Sequence, residues 1–198
     1  MPIVVSRAVA ASLSAVLVGA LVLYPLLVYV GIGRFGVGPI AAVLAFVCLL
    51  RLLVLRSRGG PQPFTLGLMI VCVGGMVLAG VSFVLESEEA MLYYPVLMNA
   101  GLLAVFAASL ISPPSIVERL ARLKDPDLLP HAVAYTRRVT IAWTVFFTIN
   151  GGIALYTAAW SPLATWALYN GFIAYFLIAA MFGVELAIRA IVMRKHAR

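Results

Sequence analysis

The sequence contains few charged residues and very few acidic ones. Of its 198 residues only 11% are charged, and 7 Asp and Glu stand against 14 Lys and Arg. With 64% hydrophobic residues, the chain has too little polar surface for a soluble domain. We therefore predict a single membrane domain over residues 1–198.

Cysteine and histidine are also scarce, which argues against several kinds of chemistry. Cys48 and Cys72 stand singly in apolar runs, without the spacing of metal or redox motifs, so we predict core positions for both. His131 and His196 are the only histidines, and neither begins the H-x4-D motif of many acyltransferases. Because no nucleophile, base and orienting group can be assembled from these spacings, an enzyme is disfavoured and no metal or other cofactor is predicted.

Six apolar stretches approach or exceed the roughly 20 residues that a spanning helix needs. They lie at about residues 8–33, 36–56, 64–85, 90–112, 139–160 and 163–188. The predicted fold class is an all-α integral membrane protein with six transmembrane helices. The first stretch is too long for the apolar region of a signal peptide.

The basic residues predict the orientation of these spans, because 13 of them fall on one side and only Arg34 on the other. The 13 are Arg7, Arg51, Arg56, Arg58, Arg119, Arg122, Lys124, Arg137, Arg138, Arg189, Arg194, Lys195 and Arg198. The positive-inside rule then places both termini in the cytoplasm. Since these residues flank the spans, we expect them to anchor helix ends at lipid headgroups, and no nucleic-acid partner is predicted.

Only one segment outside the predicted spans is long, at about residues 113–138. Ser115 and Glu118 form an S-x-x-E capping box after two prolines, which is typical of a helix start. One face of this helix would be apolar, with Ile116, Val117, Leu120 and Leu123. The other face would carry Glu118, Arg119 and Arg122. The pattern predicts an amphipathic interfacial helix at about residues 115–124 on the cytoplasmic side.

Four arginines around this helix are candidates for binding a lipid headgroup or a protein partner: Arg119, Arg122, Arg137 and Arg138. Their guanidinium groups can bind phosphate or carboxylate bidentately. Nonspecific attraction to anionic lipid is the alternative. Since adjacent helical residues point about 100° apart, at most one of the pair 137 and 138 can face the bundle. An inward arginine would need an acidic or phosphate partner, and the candidates within the protein are Glu118 and Glu185.

Polar side chains inside the predicted spans are candidates for lining a cavity. Asn99, Asn150 and Asn170 each precede a small residue, which lets a neighbouring helix approach. Trp143 and Asn150 lie on one face of the fifth span, which favours either a ligand cavity or hydrogen bonding between helices, and we prefer the second interpretation.

Glu185 is the only carboxylate within a predicted span. We expect it to pair with Arg189, which lies four residues later. Without a deeper acid, proton-coupled transport has no obvious carrier.

The first and fourth spans share a Y-P-x-L-x-x-x-G pattern that begins at Tyr24 and at Tyr94. In an inverted transporter repeat the two prolines would lie at corresponding depths. They lie at different distances from the ends of their spans, so chance or a shared packing role is the preferred interpretation.

The second half of the chain resembles known bacterial proteins. Residues 142–147, 150–156 and 166–172 resemble the C-terminal helices of the intracellular septation protein A family, small inner-membrane proteins of Gram-negative bacteria. A closer resemblance, over residues 94–99, 113–123 and 135–139, is to uncharacterised bacterial membrane proteins whose genes often lie beside acyl carrier protein and aryl-polyene synthase genes.

These resemblances imply a role in cell-envelope biogenesis at the bacterial inner membrane. Our leading hypothesis is a non-catalytic protein that binds or helps to transport an acyl or polyene lipid intermediate. Its expected partners are membrane lipids, and further acyl carrier protein or biosynthetic enzymes. The alternatives are a structural scaffold that docks biosynthetic or division proteins, and a membrane-embedded enzyme acting on lipid; a homo-oligomer is compatible with all three.

Overall fold

The computed structural model describes residue 19 and residues 23–57 and 65–196. The predicted span at residues 8–33 therefore lies largely outside the described residues, and so do Arg7, Arg58 and Arg198. The side chains of Arg56, Arg194 and Lys195 are likewise not described. Within the described ranges the chain is helical and contains no strand.

Nine α-helices and one π-helical turn make up the described chain. They are α1 (Tyr24–Phe35), α2 (Val37–Ser57), α3 (Thr65–Leu85), α4 (Glu89–Leu92), α5 (Tyr94–Ile111), α6 (Ile116–Arg122), α7 (Pro130–Trp160), α8 (Leu163–Leu168), the π turn (Tyr169–Ile173) and α9 (Ala174–His196). Among the described residues, five segments are long and apolar enough to cross a membrane: Val37–Leu55, Gly67–Leu85, Glu89–Ile111, Pro130–Trp160 and Leu163–Val192.

Two helix boundaries differ from the predicted span ends. The connection between α1 and α2 is a single residue, Gly36, whose φ of +74° is a conformation that glycine adopts without a steric penalty. Helix α7 begins at Pro130, ahead of the span predicted at residues 139–160, because proline is well suited to the first turn of a helix. Residues 130–138, which we predicted to lie outside the spans, are therefore helical.

The helices pack side by side, and α8 completes a ring. Helix α2 packs on α3, α3 on α5 and α5 on α7, while α8 and the π turn pack back on α1. Trp166 of α8 is fully buried and donates a hydrogen bond from its Nε1 to the carbonyl oxygen of Leu92, 2.9 Å away. This hydrogen bond joins α8 to the end of α4, where α4 leads into α5.

The two Tyr-Pro pairs meet inside this bundle. The rings of Tyr24 and Tyr94 have centroids 4.7 Å apart, and the Tyr24 hydroxyl donates to the carbonyl oxygen of Met91 at 3.1 Å. Each tyrosine is the first residue of its helix, so the repeated pattern places two aromatic rings in one core. This contact agrees with the interpretation of the pattern as a shared packing role.

A hydrophobic core formed by α1, α2, α3, α5 and α8 contains both cysteines. Cys48 and Cys72 are fully buried free thiols, which confirms their predicted core positions. Arg51 is also buried, which corrects the expectation that it anchors a helix end. It follows Leu44 and Cys48 on the buried face of α2, at the spacing of i, i+4 and i+7.

Two glycines let α3 and α5 approach each other closely. A Cβ at Gly67 would meet the Val105 side chain and would lie 3.0 Å from the carbonyl oxygen of Gly101. A Cβ at Gly101 would in turn lie 2.5 Å from Cγ2 of Val71. Because backbone atoms cannot give way like a flexible side chain, a methyl group at either position must push the helices apart.

We predict that Gly67→Ala destabilises the protein while Gly80→Ala on the same helix does not. Overpacking costs about 1–3 kcal/mol, whereas an added Cβ at Gly80 meets nothing within 4 Å and gains about 1 kcal/mol of helix propensity. Thermal unfolding in detergent should show a lower melting temperature for Gly67→Ala alone. Equal shifts for both variants would contradict the close approach.

Candidate functional site

Three polar side chains from α5, α7 and the π turn form a continuous hydrogen-bonded chain inside the bundle. The Tyr169 hydroxyl donates to Oδ1 of Asn150 at 2.8 Å. Nδ2 of Asn150 donates to Oδ1 of Asn99 at 2.9 Å, and Nδ2 of Asn99 donates to the carbonyl oxygen of Pro95 at 2.8 Å. We call Asn99, Asn150 and Tyr169 the polar triad.

A small residue permits the interhelical part of this triad. A Cβ at Gly151 would lie 3.1 Å from Cβ of Asn99, so a larger residue there would press on the Asn99 side chain. Asn99 and Asn150 are both buried, and each amide meets the other without a gap for water. The pairing of asparagine with a following small residue is therefore what lets α5 and α7 share this bond.

The π turn fastens the last span to α7 at two points. Tyr169 bonds to Asn150, and the neighbouring Asn170 donates from Nδ2 to Oγ1 of Thr157 at 3.1 Å. Asn170 also donates to the carbonyl oxygen of Trp166 at 3.0 Å. π turns are rare and occur frequently at functional sites. Here the π turn directs two consecutive side chains toward one helix.

Beside the polar triad, α7 and α9 diverge and leave a groove of about 360 Å³. Helix α7 lines it with Phe146, Ile149, Asn150 and Ile153, and α9 lines it with Leu177, Ala180, Met181 and Val184. Both sets follow the spacing i, i+3, i+4 and i+7, so each forms one continuous helix face.

The accessible wall of this groove is apolar, although Asn150 and Tyr169 both line it. Their polar atoms bond to each other, and Asn150 bonds further to Asn99, so these atoms do not face the groove. The groove is partly open to the surroundings of the protein. Its shape and surface suit a hydrocarbon chain.

Side chains of α7 and α9 contact each other at two positions beyond the groove, toward the N-terminal end of α7. The rings of Trp143 on α7 and Phe182 on α9 have centroids 4.7 Å apart. Further along, the Tyr135 hydroxyl donates to the carbonyl oxygen of Glu185 at 3.2 Å and to its Oε1 at 3.4 Å. Most described side chains of α9 are exposed, so this part of the last span lies largely outside the bundle, whereas α8 belongs to it.

Trp143 and Asn150 both lie on the buried face of α7, as predicted, but of the two Asn150 alone lines the groove. Trp143 lies in an aromatic cluster with Phe106 and Phe147, at centroid distances of 6.4 and 5.5 Å, and does not line the groove. Asn150 lies between the bundle interior and the groove, because it bonds to Asn99 of α5 and also lines the groove. Tyr169 was not among the predicted site residues.

Glu185 does not form its predicted ion pair with Arg189. An ion pair does join Arg122 and Glu118, with 2.8 Å between Nη2 and Oε1. The carboxylate of Glu185 instead faces α7, where it accepts the hydrogen bond from Tyr135. The partner of Glu185 therefore lies on the neighbouring helix α7 and not on its own helix α9.

Arg119 and Arg122 donate hydrogen bonds to backbone carbonyl oxygens in the turns that flank α6. Arg119 donates from Nε to the carbonyl oxygen of Pro114 at 2.7 Å and from Nη2 to that of Ser112 at 3.0 Å. Arg122 binds Glu118 and also donates from Nη1 to the carbonyl oxygen of Pro126 at 2.8 Å. These bonds satisfy backbone oxygens on both sides of the short helix.

Neither Arg137 nor Arg138 faces the bundle, and neither pairs with Glu118 or Glu185. Both side chains are exposed, because α7 turns them away from the bundle. Arg137 donates from Nη1 to the carbonyl oxygen of Leu110 at 3.3 Å. Within the described part of the chain no hydrogen bond or ion pair engages Arg138. The Arg138 guanidinium is therefore exposed and has no described bond.

Helix α6 forms where it was predicted, with Oγ of Ser115 accepting from the backbone N–H of Glu118 at 3.4 Å. Glu118, which we predicted on the polar face, is buried together with Ile116, whereas Leu123 is 77% exposed. The helix packs on α7 through its first turn, and Arg122 neutralises Glu118 there. The exposed leucines lie on its outer side.

Among residues 23–57 and 65–196, no group of three or more His, Cys, Asp and Glu is placed to hold a metal ion. The chain matches no protein-family model, no curated protein and no solved structure. Membership of the septation protein A family or of its relatives therefore stays a prediction.

We predict that Asn99→Ala and Asn150→Ala are coupled in a double-mutant cycle. Interhelical hydrogen bonds in membrane proteins contribute about 0.6 kcal/mol on average and up to about 1.7 kcal/mol. The control cycle combines Asn99→Ala with Thr148→Ala, whose exposed hydroxyl bonds within α7 to Thr144. Unfolding in mixed micelles should give a coupling energy for the first pair and additivity within about 0.5 kcal/mol for the second. Additivity in both cycles would contradict a stabilising bond.

Proposed function

We propose that this protein binds the hydrocarbon chain of an acyl or polyene lipid intermediate in the groove between α7 and α9, without catalysing a reaction on it. The observation that carries this proposal is the apolar, partly open groove between two spans. Its volume of about 360 Å³ is near the lower end of ligand sites, roughly 300–1,000 Å³. One chain fits this space better than a whole two-chain lipid.

Inside a bilayer the hydrophobic effect does not favour the groove over the surrounding lipid, since both are apolar. Selective binding must therefore come from close packing in the groove and from a group outside the hydrocarbon region. The exposed guanidinium of Arg138 is the best candidate for that group, because it can bind phosphate or carboxylate bidentately.

Arg138 is suitably placed for a headgroup whose chain enters the groove. It precedes Ile149 by 11 residues, about three helical turns, so the two residues lie on the same face of α7. Arg137 already donates to Leu110, and its contribution is to hold the ends of α5 and α7 together. In this proposal Arg138 binds the ligand and Arg137 stabilises the fold.

The length of α7 supports a specific position in the membrane. Its 31 residues extend about 46 Å, more than the roughly 30 Å of the hydrocarbon core. The stretch from Arg138 to Trp160 covers about 33 Å. Tyr156 and Trp160 pack with centroids 5.7 Å apart and would form an aromatic anchor at one interface, with Arg138 at the other.

In this position α6 lies at the same interface as Arg138, with Leu120 and Leu123 in contact with lipid. The full proposal retains six spans, both termini in the cytoplasm and a bacterial inner membrane. It relies on the 13-to-1 distribution of basic residues and on the resemblances of the second half.

A scaffold that docks acyl carrier protein or biosynthetic enzymes is the alternative. It would require a basic surface with several uncommitted guanidinium groups. Arg119 and Arg122 instead bind backbone oxygens and Glu118, and Arg137 binds Leu110. This commitment favours lipid binding over docking.

We predict that Ala180→Phe, which fills the groove, lowers the amount of lipid that co-purifies with the protein by about fivefold or more. That factor corresponds to roughly 1 kcal/mol, the lower end of overpacking costs. Native mass spectrometry of protein released from detergent provides the measurement.

The matched control is Ala179→Phe, which makes the same change one residue earlier. It points about 100° away, and Ala179 is exposed and does not line the groove. Equal lipid content in both variants and the wild type would exclude the groove as the binding site.

We also predict that Arg138→Lys weakens binding of an anionic ligand by about fivefold or more, while Arg137→Lys does not. Lysine keeps the charge but loses the bidentate geometry, and only Arg138 is free to use that geometry on a ligand. Co-purified anionic lipid, relative to neutral lipid, is the quantity to compare. If both lysine variants match the wild type, the arginine pair only orients the protein.

A further inference from the structure

We propose that the groove selects unsubstituted hydrocarbon chains over chains that carry a hydroxyl group, and that Tyr169 determines this selectivity. The inference rests on the proposed function and extends it by naming the class of chain and the residue that selects it. It follows from how the polar triad is arranged beside the groove.

The two polar residues of the groove direct their hydrogen-bonding groups away from it. The Tyr169 hydroxyl gives its only hydrogen to Oδ1 of Asn150 at 2.8 Å. The Asn150 amide donates to Asn99 at 2.9 Å. What remains accessible along the groove is apolar, although both residues line it.

A hydroxyl group on a bound chain would therefore find no partner in the groove. In the surrounding bilayer a hydroxylated chain can bend so that its hydroxyl reaches the interface, but a chain packed in the groove cannot. Burial of an unpaired hydroxyl weakens binding by about five- to 150-fold. The groove should discriminate against such chains by a factor in this range.

Tyr169, rather than Asn150, controls the discrimination against hydroxylated chains. The Asn150 amide donates a hydrogen bond to Asn99 on the side away from the groove. The two helices are also close together here, since a Cβ on the neighbouring Gly151 would lie only 3.1 Å from Asn99. The Asn150 amide therefore has little freedom to rotate. Removal of the tyrosine hydroxyl leaves Oδ1 of Asn150 without its donor, at the edge of the groove. A hydroxyl on the bound chain can then donate to this oxygen.

The depth of this oxygen determines which test ligand is suitable. Asn150 follows Arg138 by 12 residues, about 18 Å along an α-helix. A carboxylate held at Arg138 would place the middle or later part of a long chain beside Asn150. Stearic acid and 12-hydroxystearic acid differ by one hydroxyl group in this part of the chain.

The experiment is a competition between these two acids for the full-length protein in detergent, measured by native mass spectrometry. The wild type should bind stearic acid at least about fivefold more tightly. Tyr169→Phe should reduce the preference to within about twofold or reverse it. The matched control Tyr156→Phe removes the same atom from an exposed tyrosine outside the groove and should behave as the wild type.

A second variant keeps the test decisive if Tyr169→Phe does not fold. Asn150→Leu removes the acceptor of the Tyr169 hydroxyl, which can then bond to a hydroxyl group on the bound chain, so this variant should also lose the preference for stearic acid. Equal binding of both acids to the wild type, or a wild-type preference retained in Tyr169→Phe or in Asn150→Leu, would overturn the inference but leave chain binding intact. If neither acid binds, or if Ala180→Phe binds both as well as the wild type does, the proposed function fails.

Discussion

The hydrogen bond between Asn150 and Asn99 is the interaction on which the rest of the site depends. It joins α7 to α5 at 2.9 Å and fixes the amide that Tyr169 then bonds. Because Tyr169 belongs to the π turn, this bond contributes to the position of the last span relative to α7, together with the bond from Asn170 to Thr157. Without it, nothing would hold the polar atoms away from the groove, and its wall would not be apolar.

Two kinds of packing surround this bond and make it possible. Gly67, Gly101 and Gly151 bring backbones close together on one side, where an added Cβ would collide with neighbouring helices. On the other side of α7, the rings of Trp143 and Phe182 contact each other between α7 and α9. Small residues thus lie where helices approach closely, and large rings lie between α7 and α9 next to the groove.

The sequence was sufficient for the helices but only partly for the site. Apolar length predicted most spans, and the motif at Ser115 predicted the start of α6, because both depend on local chemistry. Asn99 and Asn150 were recognised because an amide in hydrocarbon needs a partner. Tyr169 was missed, since a tyrosine in an apolar run has no distinguishing pattern, and its partner depends on a π turn. The Y-N-G sequence at 169–171, polar residues before a glycine, was the only available signal.

The errors share one physical cause, which is that partners in this protein come from neighbouring helices and turns more than from the same helix. Glu185 accepts from Tyr135 on α7, where the sequence suggested Arg189 on its own helix. Arg119 binds carbonyl oxygens of the preceding turn instead of presenting its guanidinium outward. In a low-dielectric environment an unsatisfied backbone or side-chain group costs more than in water. Polar groups therefore hydrogen-bond to each other within the protein, and the surface that remains accessible to a ligand is apolar.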